Sequence, residues 1–179
     1  EHLQDYSQME FYWAYADYGQ GMELVEEMYK YVAKKTFGTL KFKVRGFDVD
    51  LGKKWEKYDF RTIVSKYTGV DIFEASLPEI EKALNKLKID YDKKGFNKTR
   101  AIDNLLKCCR KNLSGPGFLI NTPIDISPLA KRNEKNPDTA QRFQVILAGS
   151  EVGNGYSELN NPIDQAERLK AQQKLRDKG

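Results

Sequence analysis

Residues 143–147 read Phe-Gln-Val-Ile-Leu, a nearly continuous apolar run, and no other stretch constrains the fold as strongly. Strands with one wet face alternate apolar and polar residues, so an almost unbroken run predicts a central strand covered on both sides. Gly149 follows it, and residues 151–159 read as the next strand. The cover has to come from amphipathic elements elsewhere in the chain.

Those elements are legible in turn. Met9, Phe11 and Trp13 alternate with Tyr6, Gln8, Glu10, Tyr12 and Ala14, which predicts an extended strand that Gly19-Gln20-Gly21 breaks. Met22, Val25, Tyr29 and Val32 recur at helical spacing, and Gly38 supplies the stop. Leu40, Phe42 and Val44 alternate with Lys41 and Lys43 as in an antiparallel strand with one wet face. A short helix is expected over 59–67. Ser76 with Glu79 is a capping-box pattern, and Leu77, Ile80, Leu84 and Leu87 form the stripe behind it. After a loop at Gly95, Ile102, Leu105, Leu106, Cys109 and Leu113 mark the inner side of another helix, which Ser114-Gly115-Pro116-Gly117 ends. Residues 118–120 read as a buried strand, 123–128 as a rigid connector and 131–138 as a polar loop, and Asn161-Pro162 opens a final helix. Hairpin-like alternation dominates, so the expected fold is α+β, an antiparallel sheet flanked by helices.

Composition excludes whole classes of protein. The 179 residues are 40% apolar and 12% aromatic, too rich for a disordered or low-complexity chain. No stretch approaches the roughly 20 apolar residues of a membrane span, and Glu1-His2-Leu3-Gln4-Asp5 is not the basic start of a signal peptide. The net charge of +4 is compatible with a polyanionic partner without identifying one. Cys108 and Cys109 are adjacent, a spacing that fits neither a disulfide nor a zinc site. They read as helix thiols in a reducing compartment. No phosphate-binding glycine loop, Ser/His/Asp triad or metal cluster is present, which removes P-loop and hydrolase readings.

The chemistry concentrates in residues 151–159. Val152, Asn154, Tyr156 and Glu158 point one way along the strand, and Gly153, Gly155 and Ser157 point the other. Two glycines within a strand mark a close approach of backbone or ligand. Glu10 and Tyr12 repeat the acid-and-phenol theme, so Glu10 and Glu158 are expected to converge with Tyr12, Asn154 and Tyr156 around them. Paired acids in a half-buried pocket repel unless a cation joins them, and the natural guest is a primary ammonium or guanidinium. Glu151 has the opposite parity and falls outside that pocket; with Gln144 on the preceding strand it offers a weak Mg²⁺ site. His2, Lys131 and Arg132 are candidate phosphate contacts.

Three segments carry a family resemblance. Glu10-Phe11-Tyr12-Trp13-Ala14-Tyr15-Ala16-Asp17-Tyr18 resembles the tail of motif 2 in class II lysyl-tRNA synthetases. Residues 117–131, with Ile126-Ser127-Pro128-Leu129-Ala130-Lys131, resemble the segment between motifs 2 and 3 of that family. Arg142-Phe143 through Glu151, then Asn154-Gly155-Tyr156-Ser157-Glu158-Leu159-Asn160-Asn161-Pro162, resemble its lysine-binding strand. The resemblance implies part of a class II catalytic domain over 1–179, with a helical insert region at 39–113. It implies a cytoplasmic ligase that joins L-lysine to ATP, releasing pyrophosphate, and passes the lysyl group to tRNA(Lys). It also implies Mg²⁺ and, for the full-length enzyme, a homodimer.

By the same resemblance, Glu10 and Glu158 bind the substrate ε-ammonium, and Tyr12, Asn154 and Tyr156 complete the pocket. Tyr6 takes the place of an adenine-stacking aromatic, His2 that of a triphosphate contact and Glu151 that of a carboxylate holding Mg²⁺ against ATP. Gln144 departs from the family, which has a second metal-binding acid there. The Arg-x-Glu of motif 2, motif 1 and motif 3 are not in the chain, so it is expected to be an internal slice with negligible ATP–pyrophosphate exchange alone. Aspartyl and asparaginyl relatives are rejected, because their pockets need a cation where this chain has Glu10 and Glu158. A non-catalytic paralogue that binds lysine or a partner, and a ligase that lysylates protein, are the alternatives.

Overall fold

A computed structural model describes residues 5–177. Its frame is a sheet of four strands in the order β3-β4-β5-β6, made of β3 (Glu56–Asp59), β4 (Gly117–Ile120), β5 (Arg142–Leu147) and β6 (Ser150–Tyr156). The expected central strand is β5, with β4 and β6 antiparallel on its two sides. It turns Phe143 and Val145 to one core and Ile146 to the other, all at most 3% exposed. Gln144, on the Ile146 side, is also buried.

The sheet is not wholly antiparallel. β3 pairs with β4 in parallel, Glu56 opposite Gly117 and Asp59 opposite Ile120. Parallel neighbours need a long crossover, and three helices supply it: α2 (Phe60–Thr68), α3 (Leu77–Lys86) and α4 (Lys98–Arg110). Asp59 caps α2 by accepting from the Thr62 N–H at 2.9 Å. Glu79 reaches back to accept from the Ser76 N–H at 2.7 Å, as its spacing predicts. Ile80 and Leu84 of α3 and Ala101, Leu105 and Cys109 of α4 are fully buried against Leu119 and Ile146. Burying such a side chain contributes about 1.5–3 kcal/mol, so this face is the stable half of the molecule. Leu87 ends the stripe 37% exposed, since α3 stops at Lys86.

Helix α1 (Tyr18–Phe37) and the hairpin of β1 (Lys41–Val44) and β2 (Phe47–Asp50) cover the opposite face. Asp17 caps α1 by accepting from the N–H groups of Gly19 and Gln20 at 2.8 and 3.0 Å. The glycines at 19 and 21 therefore lie in the first helical turn instead of breaking a strand, and the Phe143 ring packs close to Gly21. Ala33 is buried in the helix stripe and Val32 is half exposed. The hairpin turns at Arg45-Gly46, both at positive φ (51° and 82°), the geometry that twists with its strands.

The strand expected over 6–14 does not form. Among the described residues, 5–16 pair with no strand and turn at Ala14-Tyr15, so the alternation has no ladder to join. Met9, Phe11 and Trp13 are 64%, 45% and 50% exposed. At the other end, α5 (Pro162–Asp177) begins under the side chain of Asn161, which accepts from the N–H groups of Ile163 and Asp164. No helix among the described residues is long and apolar enough to cross a membrane.

Candidate functional site

β6 is an edge strand, and residues 6–18 run past it to enclose a groove of about 1670 Å³. Tyr6, Glu10, Tyr12, Asn154, Tyr156 and Glu158 all line this groove. The Tyr12 hydroxyl donates to Glu10 Oε1 at 2.7 Å. Its ionisation is pushed above the ordinary phenol range, first by that hydrogen bond and then by the Glu10 charge, with smaller contributions from Glu158 and Tyr156. Tyr12 of the arm is thus within electrostatic reach of Glu158 and Tyr156 at the end of the strand.

The groove is more open than a half-buried pocket. Tyr6 and Tyr12 are 78% and 79% exposed, and Glu10 and Glu158 are exposed as well. The cause is the missing ladder at 5–16, which leaves the arm as a single extended segment beside the sheet. Exposure to solvent raises the effective dielectric around the two carboxylates and weakens their repulsion.

Glu151 does not follow the simple strand parity. Val145 pairs with Gly153 and Ile146 with Glu151, so a bulge inserts Val152. Directly opposed residues share a face, which sets Glu151 on the side of Ile146, Gln144 and Asn154. Neither Glu151 nor Gln144 lines the groove. Glu151 Oε2 accepts from Arg110 Nη1 of α4 at 2.9 Å, and Gln144 Oε1 is buried without a hydrogen-bond partner. Mg²⁺ prefers anionic oxygen. One carboxylate already neutralised by a guanidinium, beside a neutral amide, does not fit it, and the described residues hold no cluster of three or more His, Cys, Asp or Glu suited to a metal.

The face cleared by Gly153 and Gly155 is filled by protein, not ligand. A Cβ at Gly155 would lie 2.5 Å from the Phe143 ring, and one at Gly153 would meet Tyr29 and Val145. Ser157, on the same side, accepts from the Tyr18 N–H at 3.0 Å and so ties the base of the arm to the end of β6. Sequence reading missed Ser157 and Arg110, since both act on partners far away in the chain. Lys131 lines the groove, whereas Arg132 is turned to Pro137 and Asp164. His2 lies outside the described residues.

Comparison with known proteins gives a consistent picture. Residues 1–178 match the family model described as tRNA synthetases class II (D, K and N). The lysine–tRNA ligase of Thermotoga maritima is 37% identical over 179 residues, covering 100% of this chain and 35% of that protein. The one from Thermoanaerobacter sp. strain X514 is 39% identical over 182 residues, covering 99% and 36%. The one from Thermosipho africanus is 35% identical, again covering 35% of its own length. The chain therefore spans about 35% of the length of the curated relatives it matches.

Proposed function

The chain belongs to the class II tRNA synthetase family (D, K and N), and on that premise we propose that it carries the amino-acid pocket and part of the nucleotide site of a lysine–tRNA ligase. The observation that carries this reading is the pair of acids, Glu10 and Glu158, on the two walls of one groove with the Tyr12 hydroxyl hydrogen-bonded to the first. Among lysine, aspartate and asparagine, only lysine ends in a cation. An acid-lined groove attracts its ε-ammonium and repels a carboxylate side chain.

In this reading Glu10 and Glu158 accept from the ammonium. Because Tyr12 donates to Glu10, its oxygen keeps lone pairs with which to accept a further N–H, and Asn154 and Tyr156 border the amino-acid stem. The lysine carboxylate then attacks the α-phosphorus of ATP and a P–O bond to pyrophosphate breaks; a ribose hydroxyl of tRNA(Lys) next attacks the acyl carbon of the adenylate, forming the ester as the C–O bond to phosphate breaks and AMP leaves with the hydroxyl proton released. Catalysis of this kind rests on placement and charge, and a fixed ammonium fixes the reacting carboxylate at the far end of the same molecule. Tyr6, also on the groove wall, is the candidate to stack on adenine. Glu151 enters as a half-buried residue paired with Arg110, and no step is assigned to a metal there.

The test is Glu158→Gln in a ligase of the relatives' full length that carries these residues. A charge-assisted hydrogen bond is worth about 1.5–3 kcal/mol, so KM for lysine should rise roughly 10- to 100-fold with KM for ATP within about twofold. An equal rise in both constants would contradict the assignment.

A further inference from the structure

Glu158 lies beyond the end of β6 at Tyr156, and the last main-chain tie towards β5 is the Ser157 N–H donating to the Gln141 carbonyl at 2.9 Å. The Glu158 backbone is held by a short antiparallel bridge to Ala130. Lys131 N–H donates to the Ser157 carbonyl at 2.8 Å, and Leu159 N–H donates to the Leu129 carbonyl at 3.0 Å. Segment 127–132 carries that bridge and belongs to neither sheet. The position of Glu158 therefore depends in part on the anchoring of 127–132.

That anchoring has two sides: towards β5, Gln141 N–H donates to the Lys131 carbonyl at 2.8 Å and Arg132 bridges Ala140, and on the other side α5 holds the Ala130 end. Arg168 Nη1 donates to the Ala130 carbonyl at 2.7 Å and, more weakly, towards the Ser127 carbonyl at 3.5 Å. Its side chain is only 10% exposed. Nε donates to Asp164 Oδ1 at 2.7 Å, and Nη2 donates to the other oxygen of the same carboxylate. Asp164 also receives Arg132 Nη2 at 3.5 Å, one residue beyond the bridge strand's Lys131. The aspartate orients a planar fork whose remaining hydrogens clamp the bridge carbonyls. A lysine at 168 would offer a single point charge and could not satisfy both directions at once.

We propose that Arg168, oriented by Asp164, is a positioning residue for Glu158: it sets how far the groove's carboxylate stands from the reacting end of the amino acid, and so selects the length of the amine side chain. This rests on the lysine reading above and deepens it. Arg168 does not line the groove, so it acts through the bridge rather than on the substrate. Misplacing a charge partner by about 1 Å can cost on the order of 100-fold in rate.

The experiment compares lysine with ornithine, one methylene shorter, by kcat/KM in a ligase of the relatives' full length carrying Arg168→Ala, Arg168→Lys or Asp164→Asn. In all three, the lysine-to-ornithine ratio should fall by about 10-fold or more, with KM for ATP unchanged. Should Arg168→Ala fail to fold, Arg168→Lys and Asp164→Asn keep the charge or the volume and make the same prediction. A wild-type ligase that selects lysine, with variants whose ratio stays at the wild-type value, overturns the clamp and leaves the lysine reading intact. A wild-type ligase that uses ornithine as readily as lysine overturns the length selection, and one that uses norleucine, which lacks the amine, as readily as lysine overturns the lysine reading as well.

Discussion

Residues 6–14 and β6 face the same groove with the same alternation of residue types, yet one is a strand and the other is not. β6 has β5 beside it and exchanges main-chain hydrogen bonds from Tyr156 back to Ser150. The arm has no such neighbour among the described residues, and its Met9, Phe11 and Trp13 remain exposed. Alternation tells which side chains would share a face; a partner backbone decides whether a strand exists. The acids inherit the difference. Glu158 stands on a bridge braced by α5, whereas Glu10 rides on a segment tied to β6 through Tyr18 and Ser157.

The largest test of that contrast is stability. Ile146→Ala, in the fully buried wall, should cost about 2–5 kcal/mol in denaturant unfolding, while Trp13→Ala in the arm should cost under about 0.5 kcal/mol. A comparable loss from both would mean that the arm is packed as firmly as the sheet. Next comes the tie itself. Ser157→Ala leaves the Tyr18 N–H without its acceptor, a loss of about 1–3 kcal/mol. Amide hydrogen exchange should quicken at Tyr18 and leave the β5–β6 amides protected; uniform deprotection would show that the bond supports the whole fold instead.

The smallest effect concerns acid. Burial raises the Asp59 carboxyl, but bonds from Asn121 and Thr62 outweigh it and hold the group below its ordinary range. The Arg168 hydrogen bond does the same for Asp164, against a smaller rise from burial. A carboxyl depressed in the folded state adds stability that is present above its unfolded value, about 3.9, and is lost as pH falls through the lower folded values. Asp59→Asn and Asp164→Asn should therefore lower the unfolding midpoint at pH 6 and converge on the wild type near pH 2. Curves that stay parallel to the wild type throughout would break the link to these carboxyls.

How much was readable in advance follows from where each element finds its partners. β5, α1 and the helices α3 and α4 announce themselves because their own apolar spacing does the packing. β3 does not: Glu56-Lys57-Tyr58-Asp59 is polar, and it becomes a strand only by pairing with β4 across the long helical crossover. The bulge at Val152 is equally silent, because no residue type demands it, yet it moves Glu151 to the Gln144 face and next to Arg110. The groove residues Glu10, Tyr12, Asn154, Tyr156 and Glu158 were legible as an alternating set; their openness was not, since exposure depends on a ladder that the arm fails to join. Asp164 and Arg168 stand four apart on α5, a spacing that shows their mutual pairing and hides the Ala130 carbonyl they serve.

The central claim is that Glu10 and Glu158 together recognise a terminal ammonium. Its most direct measurement is the ratio of kcat/KM for lysine to that for norleucine, which replaces the ammonium with a methyl group, in a ligase of the relatives' full length carrying these residues. Two charge-assisted hydrogen bonds at about 1.5–3 kcal/mol each give a lysine preference of about 10²- to 10⁴-fold, and Glu158→Gln should lower that ratio by roughly 10- to 100-fold. A ratio near one in the wild type, or one that Glu158→Gln leaves untouched, would contradict the account.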